Sequence, residues 1–441
     1  MDNLPPTLIT EILSRLTDSS DLTRCRLTCK TLNSASYDVT SFRFFCSYDR
    51  YTKSQAYPTK TRFKSAATRL ITQLSQLDSV SLGVDNSLTG LDSEDGEDDL
   101  HLTDVGFVSD WLMSVKERLK MVSFIDFWVQ ASWRRSHLLS LISRHCHRLN
   151  VLEVKNAWLS VEGLTTMSSL TSLTLEYVRL DDENLSKLND CFPCLETLNL
   201  IGIGVLSDPK IYLRHLKSCW WTISNAPLSL TIFAPKLVNL KLDCVRPRSL
   251  VLETPSLSDF HLILETTGSF STSDLPHLQK LQLKSNFLRD LIHAFPCSKA
   301  VKQLRLDSIK RFRPVEREKP NLELLFDVFP NISSLSLGPE AYSDIEGSFS
   351  VGLQERKGMK GLKDFTAHLV IIDIEVTLSF ISSILSKCDN LSTISLLVDH
   401  KLDPTHASYL MSKCEAFCSR AQWKWGFWKE DRKDVWMFDV V

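Results

Sequence analysis

The chain has 441 residues, 43% of them hydrophobic and 24% charged, a balance that supports a sizeable buried core and excludes a disordered polyampholyte. Fifty-one basic against 53 acidic side chains give a net charge of −2, which argues against a protein that binds nucleic acid by neutralising its backbone. Twelve cysteines are too dilute for a disulfide scaffold, so thiols in a reducing compartment are expected.

The first residues, Met1-Asp2-Asn3-Leu4-Pro5-Pro6, lack the basic start and apolar stretch of a secretory signal. No window of about 18 apolar residues occurs further on. The expectation is a soluble protein of the nucleus or cytoplasm that contacts no membrane. Ile9, Ile12, Leu13 and Leu16 then fall at helical spacing and predict one apolar stripe, with Pro6 in the first turn. Asp18, Ser19 and Ser20 end that helix, and a second begins near Asp21 with Leu22, Cys25 and Cys29 on one face. Some forty residues in two or three helices bury too little to be stable alone, so residues 1–45 are expected to borrow an apolar surface from another protein. Residues 46–75 read as a linker and the start of a repeat solenoid.

From residue 76 to about 400 one pattern recurs, L-x-x-L-x-L with aliphatic or Phe substitutions. It starts at Leu77, Leu119, Leu149, Leu170, Leu195, Leu237, Leu257, Leu278, Val301, Ile332, Leu362 and Leu391. The central L-x-L has period two, which places its aliphatics on one face of a strand and the residue between them on the other. From the third unit onward that intervening residue is polar: Glu153, Thr174, Asn199, Lys241, His261, Gln282, Arg305, Ser336, Thr366 and Ser395. Parallel strands need returning crossovers, so residues 182–188 and 378–388 are read as return helices. The ladder position after the third leucine holds Ala157, Val178, Ile203 and Val245, so apolar packing must replace side-chain hydrogen bonds in those turns. Two intervals span 42 residues. The first holds Asp92, Glu94, Asp95, Glu97, Asp98 and Asp99 within residues 84–104, which predicts a self-repelling, solvated loop that fits no calcium-binding spacing. The second predicts a degenerate unit around Leu228-Ser229-Leu230.

Residues 401–441 change character. A helix over 405–420 precedes two aromatic segments, Trp423-Lys424-Trp425-Gly426-Phe427-Trp428 and Val435-Trp436-Met437-Phe438, around a polar turn. They predict a hairpin that closes the last repeat.

The run Leu4-Pro5…Ile12-Leu13-Ser14-Arg15-Leu16…Asp21-Leu22…Cys29-Lys30 resembles an F-box, and with the irregular repeats behind it the chain resembles the plant F-box/LRR-repeat proteins. The resemblance implies a mixed α/β fold: a helical F-box, a leucine-rich-repeat solenoid of parallel strands with helical or irregular returns, and the C-terminal cap. It also implies that Leu4, Pro5, Ile9, Ile12, Leu13, Leu16, Leu22 and Cys25 dock on a Skp-type adaptor, and through it on a cullin ligase, while the repeats hold an unknown protein substrate. Leu32 stands where the family often has Trp and Thr7 where it usually has an acidic residue, departures that imply weaker docking.

No catalytic constellation competes with that reading. Cys191-x-x-Cys194 lacks a second pair at zinc spacing, His145-Cys146-His147 puts neighbouring side chains on different sides, and Gly202-Ile203-Gly204 lacks the third glycine of a dinucleotide loop. No metal, cofactor or catalytic residue is expected. An adaptor acts by raising the effective concentration of one protein beside another. Lys241, His261, Gln282, Lys284 and Arg305 would form a mildly basic patch suited to an acidic or phosphorylated segment. The competing readings are a repeat scaffold that never meets a ligase, and a repeat ligase with its own thioester-forming cysteine, which needs an exposed low-pKa thiol.

Overall fold

Alternating apolar and polar residues fold here into short parallel strands laid side by side, each pairing with the next one of its sheet. The computed structural model describes residues 4–437 except 17, 48, 50, 52–61, 86–96, 129–132, 224, 267, 296–297, 310–317, 350–360, 419 and 431–432. The chain divides into two compact units, residues 1–227 with 231–234, and residues 228–230 with 235–441.

In the first unit the parallel strands are Ser41–Cys46, Ser79–Val84, Met121–Ile125, Val151–Lys155, Ser172–Glu176, Thr197–Ile203 and Ser218–Ile223. In the second they are Asn239–Cys244, Asp259–Leu264, Lys280–Ser285, Gln303–Asp307, Ser334–Leu337, Asp364–Leu369, Thr393–Asp399 and Gln422–Trp428. The repeat aliphatics are buried beneath each strand, Leu152 and Val154, Leu240 and Leu242, Leu281 and Leu283 among them.

Interval length decides what returns the chain. The intervals of 31, 30 and 29 residues that begin at Val301, Ile332 and Leu362 carry the helices Leu322–Val328, Pro339–Phe349 and Ile374–Lys387. The intervals of 20 and 21 residues after Leu237 and Leu257 are too short, and their returns are the extended segments Ser249–Glu253 and Ser269–Thr272, which pair in parallel as a second ladder. In the first unit Arg135–Ser136, Trp158–Leu159 and Arg179–Leu180 form a similar ladder. The expected helix at 182–188 is Ser186–Cys191, and the one at 378–388 is Ile374–Lys387. Ala157 and Val178 are buried in the turns, just after Asn156 and Tyr177 in left-handed conformations, whereas Ile203 is buried as the last residue of the strand Thr197–Ile203 and Val245 is only half-buried.

Three expectations need correction. The degenerate unit of the second long interval is Ser218–Ile223, which pairs with Thr197–Ile203 and buries Cys219 and Trp221 where aliphatics stand elsewhere. Leu230, at the expected centre of that unit, belongs instead to Ser229–Phe233, a strand of the return ladder that pairs with Lys210–Tyr212. Second, strands begin before residue 76. Ser41–Cys46, within the span read as the helical module, already pairs with Ser79–Val84, burying Phe42, Phe44 and Cys46, and the span read as linker and solenoid start holds the helix Phe63–Thr72.

Third, the acidic run is not solvated throughout. Asp92, Glu94 and Asp95 lie outside the described residues, as do the side chains of Glu97 and Asp98, but the Asp99 carboxylate accepts from the backbone N–H groups of Phe63 and Lys64 at 2.7 and 3.1 Å. It caps the helix Phe63–Thr72 from outside. Downstream, the fully buried Asp126 accepts from the Leu102, Thr103 and Phe127 N–H groups, and burial lifts its carboxyl to about 6 despite those bonds. Asp99→Ala is expected to cost about 1 kcal/mol, the usual worth of a cap, read as a shift of the urea midpoint at unchanged slope. An unchanged midpoint would show that the capping geometry carries no stability.

At the carboxy terminus the helix is Pro404–Phe417, and Gln422–Trp428 pairs in parallel with Thr393–Asp399 and antiparallel with Val435–Trp436, giving the expected closing hairpin; Phe438 lies outside the described residues. A side chain on Gly426 would meet the Val435 carbonyl at 2.7 Å, so glycine permits the close approach. Trp425 is buried with its indole N–H donated to Glu415, and Trp428 donates to the Leu369 carbonyl, so two of these rings are structural.

Candidate functional site

The N-terminal module consists of α1 (Pro6–Ser14), α2 (Ser20–Thr28) and α3 (Lys30–Ala35). Pro6 opens α1 where a missing N–H costs nothing, the Asp18 carboxylate accepts from the Ser20 N–H at 2.9 Å, and the Cys29 thiol accepts from the Leu32 N–H at the start of α3. Ile9, Leu13, Leu22, Leu32, Ala35 and Val39 make a small core. The module is also tied to the first strand. Ser19 donates its N–H to the Arg43 carbonyl at 2.6 Å and accepts the Arg43 N–H on its hydroxyl at 2.8 Å, while the Ser14 hydroxyl accepts from the Thr40 N–H at 3.1 Å. Arg26 on α2 donates to Gln73, just past the helix Phe63–Thr72, at 3.0 Å. The surface that this module needs is thus supplied in part by its own chain.

What remains uncovered is a second apolar face. Leu8 and Ile12, one helical turn apart on α1, are 41% and 51% exposed, Leu4 just before the helix is 40% exposed, and Leu27 on α2 is 85% exposed. Ile9, Leu13 and Leu22 are only 2–4% exposed. The single stripe read from spacing therefore splits: Ile9 and Leu13 face inward with half-buried Leu16, and Ile12 faces outward with Leu8. Pro5 is exposed and Cys25 half-buried. Leu8 and Leu27 were missed by sequence reasoning; the four-residue step from Leu4 through Leu8 to Ile12 is the signal that separates this face.

Residues 1–47 match the F-box-like family. Over 99% of this chain and 100% of the relative, the sequence is 46% identical to an F-box/LRR-repeat protein of Arabidopsis thaliana. The chain belongs to the F-box/LRR-repeat family. Its helical module is the F-box, its paired strands are the leucine-rich repeats, and F-boxes generally bind Skp-type adaptors of SCF complexes. Proteins of this family are typically adaptors without catalysis of their own.

The second candidate surface of this F-box/LRR protein lies on the polar strand face of the second unit. Register places Lys241 beside His261, His261 beside Gln282, and Gln282 beside Arg305. The row continues through Ser336, Thr366 and Ser395 to Lys424, and no position in it carries a carboxylate. Lys284 sits one row away, opposite Asp307 and within 3.4 Å of its carboxylate, so it is neutralised there and does not join the patch as expected. Partial burial, with Lys241 and Arg305 on either side, holds the His261 imidazole below its ordinary pKa. Burial raises the Asp243 carboxyl although Lys241 and Lys284 act against it.

Burial pushes Cys146, Cys219, Cys244 and Cys414 up to about 12 and raises Cys191 as well. Cys146 and Cys388 each end a return helix, which accounts for their matching places before Leu149 and Leu391. Among the described residues no group of three or more metal-ligating side chains gathers, and no helix is long and apolar enough to cross a membrane.

Proposed function

We propose that this F-box/LRR protein is the substrate-recognition subunit of an SCF-type ubiquitin ligase, acting in the nucleus or cytoplasm. The F-box docks on a Skp-type adaptor, and through it on the cullin. The repeats hold a protein whose lysine is thereby kept near a ubiquitin carried by another subunit. The chain contributes proximity and binds twice.

One observation carries this reading: after Ile9, Leu13 and Leu22 have been spent on the module's own core, Leu4, Leu8, Ile12 and Leu27 still stand exposed. Exposed apolar side chains grouped on so small a module mark a surface that another protein completes. Burial keeps Cys146, Cys191, Cys219, Cys244 and Cys414 protonated, which disfavours these five as thioester-forming nucleophiles. The test is co-purification of the full chain with a Skp-type adaptor and a cullin, wild type against Leu8→Asp with Ile12→Asp. Capture by the wild type and none by the variant supports the ligase reading; no capture by either leaves a repeat scaffold.

A further inference from the structure

We infer that the closing strand Val435–Trp436, with Asp434 before it, occupies the chain's own guest site, and that the segment which displaces it carries a carboxylate two residues before an aromatic ring. The inference rests on the substrate-recognition reading and names the chemistry of the substrate segment.

Burial on the outward strand face singles out this place. Outward positions are half-buried or exposed at Gln282, Arg305, Ser336 and Thr366. On the strands Asp364–Leu369 and Thr393–Asp399 that face closes, and His368, Ser395 and Leu397 are buried. Register sets His368 beside Leu397, and Leu397 beside Gly426 of Gln422–Trp428, one row across three strands. Leu397 alternates with the inward Leu396 and Val398, so its burial needs a cover from the outward side.

That cover comes from the closing strand. Both carboxylate oxygens of Asp434 lie 3.2 Å from His368 Nε2, and a carboxylate only accepts, so the imidazole donates there. Two residues on, Trp436 pairs with Gly426, and a side chain on that glycine would meet the Trp436 ring at 3.1 Å and Leu397 at 3.2 Å. The indole and Leu397 therefore stand together over bare backbone. Trp428 crosses from its own strand to donate to the Leu369 carbonyl at 3.1 Å and sets its ring edge-on to His368, which walls the site.

This strand is held lightly. Its pairing with Gln422–Trp428 spans two residues, Val435 and Trp436, and Val435 is exposed. So short a pairing opens at little cost in free energy. Once it opens, the edge of Gln422–Trp428 is a ready template for an incoming extended segment. A carboxylate for His368 and, two residues later, a ring for the space over Gly426 reproduce what Asp434 and Trp436 supply.

The experiment uses the purified full chain and fluorescein-labelled peptides: residues 433–437 flanked by glycine and serine, and the same peptide with asparagine for the aspartate or alanine for the tryptophan. Anisotropy compares wild type, whose site is filled, with Asp434→Ala plus Trp436→Ala, which opens it. The unaltered peptide is expected to bind the opened variant about tenfold or more tightly than wild type, since a filled site lowers apparent affinity by the fraction left open. It should also bind that variant about tenfold more tightly than either altered peptide. Asp434→Asn, which keeps the strand and its ring, should shift affinity in the same direction by a smaller factor, so the outcome does not hang on the folding of the double variant. His368→Ala in the opened variant should abolish the discrimination between aspartate and asparagine. No binding to either opened variant, equal binding by wild type, or indifference to the aspartate and the ring overturns the inference and leaves the strand a cap. Leu8→Asp with Ile12→Asp, added to the opened variant, should leave peptide binding intact. Adaptor capture without peptide binding refutes this inference alone; peptide binding without adaptor capture refutes the ligase reading alone and leaves a repeat protein that binds such segments.

Discussion

Leu8→Asp combined with Ile12→Asp is expected to weaken binding of a Skp-type adaptor by at least about a hundredfold while leaving the melting temperature of the chain nearly unchanged. Central apolar anchors at protein interfaces cost about 2 kcal/mol or more each when removed, and about 1.4 kcal/mol corresponds to a tenfold change. Both side chains are about half open to water in the free chain, so aspartates there lose little hydration on folding. Leu13→Asp provides the contrast. Leu13 is 4% exposed, and a carboxylate in its place buries an unpaired charge in the module's core. It should unfold the three helices and lose adaptor binding for a trivial reason, visible as lost helicity. Full adaptor affinity in the outer-face variant would mean that docking uses some other surface.

Leu281→Ala should destabilise the chain by about 2–5 kcal/mol, and the adjacent Gln282→Ala by about 0.5 kcal/mol or less. Leu281 is fully buried between Phe260 and Leu304 of the neighbouring strands, so truncation removes contacts on both sides and leaves a cavity. Gln282 lies on the opposite face. Denaturant titrations of the two variants make the comparison. Equal losses would contradict the assignment of the faces, and with it the row from Lys241 to Arg305.

Most of the repeat architecture was legible because leucine at strict alternation, recurring along the chain, fits little besides a strand with one buried face. Where the same alternation was written in other residues, it escaped. Cys219, Trp221 and Ile223 follow the period of two, yet a pattern of aliphatics and Phe passes over a thiol and an indole that fill the same space, whereas Val39, Phe42 and Phe44 fit that pattern and were passed over because they directly follow the helical module. The extended returns at Ser249–Glu253 and Ser269–Thr272 were implied by intervals too short for a helix plus its turns, but nothing local distinguished them from irregular chain. Asp99 was legible only as a charge, whereas its role comes from the orphan N–H groups at the start of a helix 36 residues upstream, a long-range partner that sequence does not reveal. In the F-box the apolar positions were visible and their two directions were not, since Ile12 and Leu13 are equally apolar and one helical step apart. Which of them faces outward is decided by where α3 packs against α1.

The double tether between Ser19 and Arg43 bears on how such a protein could be re-engineered. The family match ends at residue 47, so a domain swap cut at that margin carries off Ser41–Cys46 and strips Ser79–Val84 of its neighbour. The donor fragment would leave with a naked edge of Phe42 and Phe44, and the recipient would gain an unpaired ladder ready to recruit stray chains. A transplant that preserves both halves must place its seam upstream of residue 41 and keep the serine that ties α2 to that strand.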